Sequence, residues 1–65
     1  MKLNSMLTFT VELSEELADA LAQFVKRVGF AEMRCNAVDD VEAYLIRDAI
    51  DRVRMGLANA GFSPR

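Results

Sequence analysis

Histidine is absent from this 65-residue chain, and Cys35 is its only cysteine. Those two facts exclude a disulfide within the chain and any Cys/His zinc site. They also remove the Ser/His/Asp and Cys/His sets of nucleophilic catalysis. There is no glycine-rich phosphate loop, and Asp39-Asp40-Val41-Glu42 lacks the alternating spacing of a calcium loop. The expectation is therefore a non-enzyme, with no catalytic, cofactor-binding or metal-binding residue and no cofactor. No apolar run approaches the length of a membrane span, and Asn4, Ser5 and Thr8 interrupt what would be the apolar core of a signal peptide. A lone cysteine fits a reducing compartment, so a cytoplasmic protein with no membrane association is expected.

What the chain does have is apolar surface. Its hydrophobic content is 52%, in a chain short enough to bury only roughly 60% of the area that its unfolded form exposes. With metal and disulfides excluded, self-association is the remaining stabiliser for so small a domain. A homodimer is the expectation.

The residues read as a single small domain, residues 1–65, of an N-terminal strand and two helices. From Leu7 to Leu13, the residues Leu7, Phe9, Val11 and Leu13 alternate with Thr8, Thr10 and Glu12. Period two predicts a strand at about 7–13 with one buried face, and a single strand needs a partner. Ser14 then caps a helix over about 14–28, with Glu15 and Glu16 in its first turn. Its apolar stripe is Leu17, Ala20, Leu21, Phe24, Val25 and Val28. Gly29 suits a left-handed ending, with Phe30 folding back on Val25.

Residues 29–39 form a connection. Glu32 to Ala37 alternates like a short edge strand, while Phe30, Met33 and Ala37 suit a helical turn; an irregular connection with one helical turn is the preferred reading. The second helix, about 40–60, opens on Asp39 as cap with Glu42 three residues on, as in a capping box. Its stripe is Leu45, Ile46, Ala49, Ile50, Val53 and Leu57, and it closes at Gly61-Phe62 before a short tail containing Pro64. Leu7, Phe9, Val11, Leu13, Ile46, Ile50 and Val53 are the expected dimer core.

The order strand, helix, helix resembles the ribbon-helix-helix family of small dimeric DNA-binding repressors. Val11-Glu12-Leu13-Ser14-Glu15-Glu16-Leu17 is similar to that family's strand-to-helix junction. Tyr44-Leu45-Ile46-Arg47-Asp48-Ala49-Ile50 is similar to its second helix. The resemblance implies a mainly α, β-α-α fold whose strand pairs across a homodimer and enters the major groove of duplex DNA. It further implies a transcriptional regulator or a mobile-element accessory factor, with Thr8 and Thr10 reading bases and Lys2 and Asn4 extending the same face. Two departures accompany it. The connection between the helices is longer than the family's short turn, and Asp39, Asp40 and Glu42 stand where the family holds a DNA phosphate.

Charge supports a second function. The net charge is −2, and non-specific DNA affinity comes mainly from basic residues neutralising phosphates. The alternative is an acidic protein-binding module on the same scaffold: an antitoxin-like partner, a complex subunit or an inhibitor. Asp39 and Asp40 would then meet a partner with a basic surface, and Tyr44 and Met55, both off the main stripe, would anchor it. The acids also have a local explanation, since carboxylates at helix N-termini and bases at C-termini match the helix dipole.

Overall fold

The computed structural model describes residues 5–62. Three helices are formed there: α1 (Glu15–Arg27), α2 (Phe30–Cys35) and α3 (Asp40–Asn59). No strand forms among the described residues, which corrects the expected β-α-α fold. The segment before α1 carries no regular secondary structure. Leu7 and Phe9 are 83% and 74% exposed on it. The reason is physical: a strand exists by its ladder of hydrogen bonds, and no such ladder joins this segment to another among the described residues. Lys2 and Asn4 lie outside the described residues.

Helix α1 starts where its sequence says it should. Ser14 Oγ accepts from the Leu17 N–H at 3.2 Å, Glu15 and Glu16 occupy the first turn, and Lys26 and Arg27 the last. Its ending differs from expectation. Gly29 is extended, at φ −103° and ψ 170°, and is the N-cap of α2. Its N–H donates to Glu32 Oε1 at 2.7 Å, so the chain leaves α1 directly into another helix. Phe30 packs on Tyr44, with ring centroids 4.9 Å apart. The connection thus holds a six-residue helix, and its alternating residues do not become a strand.

Helix α3 is capped by Asp39, whose Oδ1 accepts from the Glu42 N–H at 2.9 Å. Glu42 reaches back in turn to the Val38 N–H at 2.7 Å, one residue ahead of the position used in a capping box. At the far end Gly61 has φ 98°, the Gly61 N–H donates to Ala58 O at 3.0 Å and the Phe62 N–H to Leu57 O at 2.8 Å. These two bonds constitute the Schellman closure expected from Gly61-Phe62.

Both α1 and α2 pack on α3 and not on each other. The α1–α3 contact is made by small side chains. Ala18, Ala22 and Val25 are buried on α1 and Ala43 on α3; with Met33 of α2 they are the whole buried core among the described residues. The buried side of α1 is therefore rotated from the expected stripe, because alanine lets two helix backbones approach more closely than leucine or phenylalanine does. The molecule measures 33 × 28 × 14 Å.

Candidate protein-binding face

The row of small residues that joins α1 to α3 leaves their larger apolar side chains beside it, half-buried or exposed. On α1, Leu17, Leu21, Phe24 and Val28 recur at spacings of four, three and four, so they share one face. Leu17 and Phe24 are both 56% exposed. On α3, Ile46, Ile50, Val53 and Leu57 share a face in the same way. The two faces adjoin, because a groove of about 510 Å³ is lined by Phe24, Val28, Met33, Ile46 and Ile50, with Arg27 among its polar lining residues. A second groove of about 610 Å³ lies toward the other end, between Leu21 of α1, Val53 and Leu57 of α3, and the segment before α1. The pairing of α1 C-terminus with α3 N-terminal half, and of α1 N-terminal half with α3 C-terminus, makes the two helices antiparallel.

Arg54 fixes this arrangement. Its Nη2 donates to the Val25 carbonyl at 2.7 Å, while its Nη1 lies 2.5 Å from Asp51 Oδ1. Val25 O belongs to the last turn of α1, where carbonyls lack partners within the helix. The guanidinium of one helix thus caps the negative end of another. In the sequence, Arg54 stands only as one of several bases along the second helix; nothing local signals a contact spanning 29 residues.

The other residues expected to carry function do not gather into one site. Thr8 and Thr10 stand exposed on the unpaired segment, and Thr10 lines the second groove. Asp39 is engaged by the cap of α3. Asp40 holds Arg34, with Nε 2.6 Å from Oδ1. Tyr44 lies between Phe30 and the guanidinium of Arg47, 5.0 Å from its ring centroid. Met55 is exposed and lines neither groove. The expected dimer-core residues divide between the grooves: Ile46 and Ile50 line the first, and Phe9, Val11, Leu13 and Val53 the second. Leu7 stands clear of both. Leu17, Leu21, Phe24 and Val28 are singled out by the sequence as an apolar stripe, but their periodicity points to the interior and not to a binding face. A signal was present in the Ala18/Ala22 pair, which marks the side of closest approach.

Three of the described arginines are paired locally. Arg34, Arg47 and Arg54 each lie on an aspartate, at 2.6, 3.3 and 2.5 Å. Among the described residues, no group of three His, Cys, Asp or Glu side chains gathers to hold a metal ion. No described helix is long and apolar enough to cross a membrane.

No curated protein and no solved structure matches the chain. The sequence model of one family does match, over residues 1–65, and the chain accordingly belongs to that family of unknown function, DUF7706.

Proposed function

We propose that this chain is a non-enzymatic, cytoplasmic protein-binding module, a small regulatory partner or complex subunit that acts through the apolar face of α1 and α3. The observation that carries this reading is the pair of apolar-lined grooves along α1 and α3, with Leu17, Phe24 and Val53 exposed on the same faces. Contiguous apolar surface of this kind on a small protein marks an interaction site. The exposed thiol of Cys35 suits a reducing compartment.

Duplex binding has less behind it. Thr8 and Thr10 are accessible, but the described residues form no ribbon to carry them into a groove. Three of the six described basic side chains are already occupied by aspartates, and the formal net charge is −2. A sequence-independent attraction to phosphate needs free basic groups.

Photo-crosslinking tests the choice. A benzoylphenylalanine placed at position 24 in cells should give discrete protein adducts, whereas the same group at position 52, an exposed site lining neither groove, should give none. Alongside it, the anisotropy of a labelled random duplex should not change with added protein at low salt. Salt-sensitive duplex binding without adducts from position 24 would replace the proposed reading with the nucleic-acid one.

A further inference from the structure

We infer that the occupant of the open face is a second copy of this chain, docked so that α1 crosses the α1 of its partner antiparallel about a two-fold axis near Leu21. The inference deepens the protein-binding reading and rests on it.

Area argues for a partner of this size. A monomeric protein of 7.3 kDa ordinarily exposes about 4,200 Å². This chain exposes 5558 Å². Even allowing the residues outside 5–62 their full unfolded area, about 1,100 Å², an excess of about 600 Å² remains over what the described part should expose. A stable protein–protein interface takes about 800 Å² from each partner. That excess is of the order of one partner's share, and the exposed segment before α1, with Leu7 83% and Phe9 74% exposed, carries part of it.

Charge argues that the partner is the same chain, and antiparallel. Beside the Leu17/Leu21/Phe24/Val28 row runs a second row, Glu16, Ala20, Gln23 and Arg27, at spacings of four, three and four. Glu16 and Arg27 are exposed, both border the same edge of the apolar row, and neither makes an ion pair among the described residues. In a two-fold antiparallel crossing, each helix meets the same edge of the other, run in reverse. The midpoint between positions 16 and 27 falls beside Leu21. Glu16 of each copy then approaches Arg27 of the other, while Leu17 of each approaches Phe24 of the other. An isologous contact of this type uses one patch twice and closes at two subunits. Arg27 also borders the first groove, so the charged rim and the apolar floor belong to one surface.

The experiment is sedimentation equilibrium of the full chain from low to high micromolar concentration at low salt, on the parent and four variants. The parent should reach twice its 7.3 kDa chain mass, and Phe24→Asp should stay at the single-chain mass throughout. Glu16→Arg and Arg27→Glu should each raise the dimer Kd by about tenfold, since each turns two attractions into two repulsions. The double variant Glu16→Arg/Arg27→Glu restores both pairs with the signs exchanged, and its Kd should return to within about threefold of the parent. It also carries both helix-dipole penalties at once. Recovery in the double variant consequently cannot come from helix stability, which should be lowest there by circular dichroism.

A parent that remains at 7.3 kDa overturns the inference, and so does a double variant as weak as the worse single one. If the parent is monomeric while position 24 still crosslinks to a different protein, the protein-binding reading stands and the second copy is wrong. If position 24 crosslinks to nothing, both fail.

Discussion

Arg54 offers the sharpest test of how the two long helices are held together. Replacing it with methionine keeps most of the aliphatic stem and deletes the guanidinium that caps Val25 O at 2.7 Å. A hydrogen bond from a charged donor contributes about 1.5–3 kcal/mol, and a cation at a helix C-terminus adds about 0.3–1 kcal/mol. The Arg54 side chain is 38% exposed, so water replaces part of what is lost, and the lower end applies: about 1.5–2 kcal/mol. A domain of this size has a total stability on the order of 3–10 kcal/mol. The loss should lower Tm by roughly 6–15 °C, and it should appear as a shift of the urea midpoint, followed by far-UV circular dichroism, with m unchanged. The control is Asp51→Asn, which removes the other partner of the same guanidinium. That exposed i,i+3 pair is worth less than about 0.5 kcal/mol, so Asp51→Asn should barely move the midpoint. A negligible effect of Arg54→Met, or an equal effect of Asp51→Asn, would refute the claim that α1 is capped from α3.

Other substitutions probe the remaining joints. Ala43 is 0% exposed, so Ala43→Leu should separate the helices and cost about 1–3 kcal/mol by denaturant titration. Asp39→Ala removes the acceptor for the Glu42 N–H and should cost about 1 kcal/mol. The two glycines of the C-terminal region should respond with opposite signs in thermal melts. Gly61→Ala forces a Cβ onto a residue at φ 98° and should destabilise by about 1–2 kcal/mol. Gly56 lies within α3 with nothing within 4 Å of where a Cβ would stand, so Gly56→Ala should stabilise the chain by about 0.5–1 kcal/mol.

Local chemistry was the most legible part of this sequence. Ser14, Asp39 and Gly61 each perform the capping task that their side chains or backbone freedom suit, because a cap depends on four or five neighbouring residues. The alternation over residues 7–13 misled for the complementary reason. Period two states which side chains could share a face, but a strand also needs a partner, and no other described segment supplies one. Gly29 misled because an extended conformation serves it as well as a left-handed one when Glu32 is placed to accept its N–H. The α1 stripe was correct as an apolar arc and wrong in its centre. Hydrophobicity scales rank Leu17 and Phe24 above Ala18 and Ala22, whereas close helix packing ranks them the other way. The open face was therefore written in the sequence as an interior, one that two helices could not enclose. The Arg54 contact lay beyond any local pattern, since it depends on where α3 crosses the end of α1.

The end of α3 has a consequence for motion. Gly56 weakens the helix one turn before it stops, no basic residue complements the dipole in that last turn, and closure depends on the two backbone bonds from Gly61 and Phe62. Such a turn opens as a local unit, far below the free energy of global unfolding. When it opens, Leu57 and Phe62 leave together, and they are part of the lining of the second groove. Amide exchange should accordingly be fast and correlated for the protons of residues 60–62 and slow around Ala43. One end of the apolar face is thus a surface that changes width with time, while the other, bounded by Arg54 and the α1 C-terminus, keeps its shape.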